Sequence, residues 1–177
     1  MKIGAGRIIR DHFATLRNDA TGKRSVADLI TFLFLPTLPA FTVLFVYLPH
    51  SNDLVSAFIS IVAIFSALLV GAQFSLYGLF RREPEQTGDE IRDQEIRAQK
   101  QREVNVLREI NSTISYLILV GVLSVVVALS LLVVTWSGSI EASILIYILG
   151  HFLLTLMVVV KRVHVLLDRG YNWTPSK

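Results

Sequence analysis

The sequence predicts an all-α integral membrane protein with four transmembrane helices and a cytoplasmic helical projection between the second and third. Three observations lead there. Hydrophobic residues make up 53% of the 177 and mean hydropathy is +0.56, both high for a soluble domain. The apolar residues gather into four runs, 29–48, 54–80, 110–136 and 140–160; a helix of ~20 residues rises about 30 Å, the thickness of a bilayer core. The seventeen Lys and Arg all fall outside those runs, six in 1–24, seven in 81–109 and four in 161–177. The turns after the first and third runs hold none. By the positive-inside rule both termini and segment 81–109 are cytoplasmic and the two short turns lie outside. The whole is expected to form one four-span membrane domain.

The N-terminal arm, 1–24, is basic, with Arg7, Arg10 and Arg17 among its charges. Ile9, Phe13 and Leu16 recur at i, i+4 and i+7 and predict a short helix lying along the interface, its arginines toward anionic headgroups. Ser25-Val26-Ala27-Asp28 has the form of a capping box ahead of the first run. Pro36 and Pro39 sit inside that run; each removes a backbone donor and predicts a kink or break. The second run begins after the turn formers Pro49 to Asp53. Its Ala63, Ala67 and Gly71 recur every four residues, a small-residue face that lets another helix approach closely.

Segment 81–109 carries eight of the fourteen Asp and Glu besides its seven basic residues. Pro84 and Gly88 interrupt helix formation, and Asp89 is placed to cap a new start. No Pro or Gly follows until Gly121, which predicts one long helix from the cytoplasm into the third span. Ile96, Lys100, Glu103, Leu107 and Ile110 trace a broken stripe along it, too polar for a coiled-coil seam; Arg92, Ile96, Lys100, Glu103 and Leu107 are the candidate docking surface for a soluble partner or for sister subunits. In the third run Ser124 and Ala128 form a second close-packing pair, and Trp136 closes the outer end. The fourth run carries His151 about ten residues from either end. Glu141 stands in its first turn, where a carboxylate offsets the helix dipole.

A titratable group at membrane mid-depth is a functional candidate by default, so His151, with Pro36 and Pro39, is the candidate intramembrane switch or pore element. The chain has no cysteine, which excludes disulfides, thiolate metal sites and cysteine nucleophiles. No G-x-S-x-G, H-E-x-x-H, P-loop or pair of intramembrane aspartates occurs, so neither an enzyme nor a metal or other cofactor is expected. The near balance of charge in 81–109 argues against nucleic acid, which selects a net basic face.

In layout alone, with no residue carried across, the chain resembles small four-helix inner-membrane proteins, among them membrane subunits of anti-phage systems and prophage exclusion proteins that depolarise the membrane. That resemblance implies a role in phage defence. The expected function is a homo-oligomeric, non-enzymatic protein that senses or responds to membrane state and couples to a soluble cytoplasmic partner. A pore or channel is the alternative, and a passive scaffold or transport accessory the second alternative.

Overall fold

A computed structural model describes residues 4–15, 30, 33–80, 88–134 and 136–171. Among them every regular element is helical: α1 (Ala5–Thr15), α2 (Thr37–Leu44), α3 (Asn52–Phe80), α4 (Glu90–Val133) and α5 (Gly138–Tyr171). Three helices are long and apolar enough to cross a membrane, Asn52–Gly78, Glu90–Val133 and Gly138–Asp168. The Ser25–Asp28 capping sequence, Leu16 and segment 81–87 lie outside the described residues.

α4 is the longest helix, and α1, α3 and α5 all pack on it. Its start follows from local chemistry. Gly88 takes φ +82°, a left-handed conformation open to glycine, and the Asp89 side chain accepts from the Ile91 backbone N–H at 3.1 Å. It then continues for 44 residues, through Gly121, about 66 Å at 1.5 Å per residue. α3 turns Val55, Phe58, Val62, Leu69 and Leu76 inward, a helical spacing that makes one continuous face. Opposite them α4 supplies Leu107, Ile110, Ile114 and Leu117 toward one end and Ala128 and Leu131 toward the other. α5 adds Phe152 and Val159 to the first cluster and Leu145 to the second. Outward faces remain apolar: Leu68, Phe74, Val122, Val126 and Met157 are all exposed. That inversion suits a lipid environment, where apolar surface carries no cost.

The small-residue faces divide. Ser124 and Ala128 are buried between helices, and the Ser124 hydroxyl donates to the Val120 carbonyl at 2.6 Å. Ala63, Ala67 and Gly71 face outward, and a Cβ added at Gly71 meets nothing within 4 Å. Within the chain, close approach is provided by other glycines. A Cβ at Gly121 would sit 2.3 Å from Ser66 Oγ, and one at Gly150 would sit 3.1 Å from Pro36 Cβ.

The first apolar run departs most from the expected kinked helix. Leu35 and Pro36 form a turn, and regular helix resumes for only eight residues, Thr37–Leu44. Pro36 and Pro39 lack the N–H groups that would continue the ladder, and serines of α5 hold the segment that follows through its carbonyls. Ser143 Oγ donates to Ala40 O at 2.6 Å, Ser139 Oγ donates to Val46 O at 2.6 Å, and Leu48 N donates to Ser139 Oγ at 3.2 Å. Residues 36–48 therefore run antiparallel to α5, with Pro36 against Gly150 at one end and Leu48 against Ser139 at the other. Two boundaries shift as well: α4 ends at Val133, short of Trp136, and α5 starts at Gly138, ahead of Ile140.

Gly138 has the tightest surroundings of any described glycine. A Cβ there would lie 2.3 Å from Pro49 O and 2.5 Å from Leu48 O, both backbone atoms that cannot rotate aside. Gly138→Ala is therefore expected to destabilise the fold by about 1–3 kcal/mol. Gly71→Ala, in open space within a helix, is expected to be neutral or to stabilise by up to ~1 kcal/mol. Unfolding midpoints in detergent compare the two.

Candidate functional site

The described helices enclose two clusters of titratable side chains, one at each end of the apolar bundle. The first forms where α1 meets α4 and α5. α1 is amphipathic, and Ile8 and His12, one turn apart, face the bundle while Ile9 is exposed. Of the expected Ile9 and Phe13 pair, Phe13 is half-buried and meets Tyr116, so the helix docks on protein through Ile8, His12 and Phe13.

His12 is 4% exposed. Its ring lies flat on Tyr116 of α4, centroids 4.0 Å apart and planes 5° from parallel, while Phe13 meets Tyr116 edge-on at 6.0 Å. The Tyr116 hydroxyl is 2.9 Å from Nε2 of His151 on α5. Two imidazoles from opposite ends of the chain thus meet one phenol. One helical turn toward the charged end, Arg162 donates to Thr113 Oγ1 at 3.1 Å and pairs with Glu109 at 3.8 Å. Burial first, then the positive fields of Arg162 and His151, push the His12 pKa down from 6.5 to about 4. Burial thus favours the neutral form of His12, which avoids placing a charge in the stack.

Between α3 and α4, at the same end, the Gln73 side-chain amide donates to Asn111 Oδ1 at 3.1 Å and Ser115 Oγ at 2.8 Å. The amide thus ties α3 to α4.

The second cluster joins the turn before α3 to the first turn of α5. His50 Nδ1 lies 2.7 Å and 2.9 Å from the two oxygens of Glu141, and its Nε2 lies 2.9 Å from Asn52 Oδ1. Glu141 is 1% exposed and also accepts from the Trp136 backbone N–H at 3.3 Å. Both ring nitrogens of His50 face acceptors, so the doubly protonated imidazolium satisfies the arrangement best. The hydrogen bond to the Glu141 carboxylate raises the His50 pKa above 6.5. Glu141 therefore does more than offset a helix dipole; it clamps two loops together.

The residues singled out in the sequence are distributed as follows. Pro36 is buried against Gly150, the neighbour of His151, whereas Pro39 is exposed. His151 is half-buried in the first cluster. Along α4, Arg92 is exposed, Ile96, Lys100 and Glu103 are half-buried, and Leu107 belongs to the bundle interior. Glu103 accepts from Gln99 one turn earlier at 3.3 Å. Tyr116, His12, Arg162 and the His50–Glu141 pair were not legible, because each depends on which helix neighbours which. The one available hint was the i, i+4 spacing of Ile8 and His12. Among the described residues, no group of three His, Asp or Glu is placed to share a metal ion.

No family model, curated protein or solved structure matches the chain.

The His50–Glu141 contact has a defined pH signature. Because the folded-state pKa of His50 is raised, its stabilisation is fully present below about pH 6.5 and is lost as pH rises through the raised value. The unfolding midpoint in detergent is expected to fall as pH rises above neutrality. Glu141→Gln keeps the shape of the side chain but removes the charge; it should lower the midpoint at pH 6 and flatten its dependence on pH.

Proposed function

We propose that the chain is a non-enzymatic, four-span protein of the bacterial inner membrane that responds to the state of the bilayer and signals to a soluble cytoplasmic partner. The observation that carries this reading is the continuity of α4. One helix without a break joins the apolar bundle to the charged segment from Glu90 onward. A shift or rotation of its membrane half is carried mechanically into that segment, since a helix has no soft joint unless a breaker supplies one.

The four-span reading draws support from the path of residues 36–48. They run from Gly150 in the middle of α5 to Ser139 at its start. They expose Leu38, Phe41, Leu44 and Phe45 on the outward side, as a lipid-facing span would. Orientation draws on charge. The Arg162–Glu109 pair marks one end of the bundle, and the other, held by His50 and Glu141, carries no Lys or Arg. Ala63, Ala67 and Gly71, open on the α3 surface, suit a helix of a second copy. On α4, Arg92 and the flanking exposed residues offer mixed charge to a protein partner.

The test replaces residues 90–102 with a Gly/Ser linker of equal length, which leaves Val106 and Leu107 in the core. Crosslinked protein from native membranes is then recovered in mild detergent, with mass and composition read together. Loss of an associated soluble protein, with the oligomer intact, is the expected result. Recovery of the same partner in the same yield would refute the coupling role of α4.

A further inference from the structure

We propose that docked α1 is a recognition surface for anionic phospholipid headgroups, in which Arg7 and Arg10 attract the lipid phosphate and Asp11 tempers that attraction. The proposal rests on the membrane placement of the long helices and needs no soluble partner.

Docking fixes which side of α1 looks away from the protein. Ile8 and His12 turn toward the bundle, and His12 and Phe13 meet Tyr116. Arg7 and Arg10 stand three residues apart, which makes them neighbours on one helical face. That face points outward: the two side chains are 52% and 76% exposed. A helix free at an interface chooses its own rotation, whereas this one is held with both guanidiniums presented together.

The depth of the dock is that of a bilayer border. Tyr116 stands six residues past Ile110, where the third apolar run begins. Six residues of helix rise about 9 Å, and interfacial amphipathic helices bury their apolar face about 5–10 Å into the boundary between headgroups and acyl chains. Ile9, 38% exposed, lies one turn from Phe13 on the flank between Arg10 and the bundle. At that depth an acyl chain covers Ile9 while the arginines, on longer stems, reach the phosphates. A soluble acidic partner has no comparable means of covering Ile9 below the headgroups.

Charge selects the class of lipid. Asp11 lies 3.6 Å from Arg7 Nε and 4.0 Å from Arg10 Nε, both longer than a hydrogen bond. Two guanidiniums less one carboxylate leave this face positive. At the same end of the bundle Arg162 pairs with Glu109 at 3.8 Å and adds no net charge, and Lys161 is exposed and adds to the positive sign. A guanidinium binds phosphate through two parallel N–H bonds. A zwitterionic headgroup brings its own cation to the same place; an anionic one does not. The face therefore favours phosphatidylglycerol over phosphatidylcholine, by about fivefold for each unit of positive charge near the surface.

Since the chain has no cysteine, one introduced as Gly6→Cys, where an added Cβ meets nothing within 4 Å, carries a fluorophore one turn from Arg10. The full chain would be reconstituted in vesicles of equal parts phosphatidylcholine and phosphatidylglycerol, with a quenching nitroxide high on an acyl chain of one lipid or the other. The ratio of quenching gives the relative binding constant beside α1. Phosphatidylglycerol is expected to quench more strongly. Arg7→Gln and Arg10→Gln should each lower the constant about fivefold and Asp11→Asn raise it by about as much. A fluorophore at Ser137→Cys, at the other end of the bundle, should register none of these changes. Asp11→Asn keeps the test decisive if loss of both arginines detaches α1, because it moves the constant the opposite way. Equal quenching by the two lipids at Gly6→Cys, or a constant unchanged by all three substitutions, overturns the proposal. Loss of the preference on adding inorganic phosphate at constant ionic strength would assign the arginines to a free anion and overturns it as well.

Discussion

Inside a hydrocarbon slab a polar group has no water to fall back on, so each must find its partner within the protein. That constraint shapes the places where this chain is not simply apolar helix. The first run is broken at its prolines, and Ser139 and Ser143 of α5 donate to the Val46 and Ala40 carbonyls of the segment that follows. Gln73 reaches across to Asn111 and Ser115. Glu141, nearly fully buried, is acceptable because His50 and the Trp136 backbone both donate to it. Each solution ties together two segments distant in sequence. Polar satisfaction therefore does the specifying that hydrophobic burial does in water, where an apolar face has a reason to turn inward. Here apolar faces point both ways, and Gly121, Gly138 and Gly150 set how closely the segments approach.

The same constraint makes the two ends of the bundle unlike. At one end an imidazolium and a carboxylate neutralise each other and pin two short turns. At the other, α1 brings a neutral imidazole onto Tyr116, beside His151 and the Arg162–Glu109 pair, where the bundle gives way to charge. α4 passes through both levels and continues beyond the bundle. In the proposed topology that extension is the segment most exposed to the cytoplasm.

Sequence reasoning was most reliable where a local rule decides the outcome. α4 could be read from the absence of Pro and Gly between Glu90 and Gly121, and its start from Asp89. The second and fourth runs form helices of membrane-crossing length, as does the third as part of α4. The first run was harder, because a proline lowers helix stability without fixing what replaces it; the short α2 depends on hydrogen bonds from α5. The site was the least legible part. His151 stood out by depth alone, but its partner Tyr116 and the arrival of His12 depend on the docking of α1, which no periodicity encodes. On α1 the apolar spacing singled out Ile9 and Phe13 but not His12, which stacks on Tyr116 beside Phe13. Ala63, Ala67 and Gly71 show the converse, a pattern that permits close packing but does not name the partner.

The central claim is the threading: four crossings that leave both termini and the α4 extension on one side. Single cysteines in this cysteine-free chain, at Gly4, Asp53, Arg97 and Ser137, would be probed in intact spheroplasts with a membrane-impermeant maleimide. The account predicts labelling at Asp53 and Ser137 in intact cells, and at Gly4 and Arg97 only after the membrane is opened. Labelling of Gly4 from outside together with Asp53, with Arg97 protected, would mean three crossings and would contradict it.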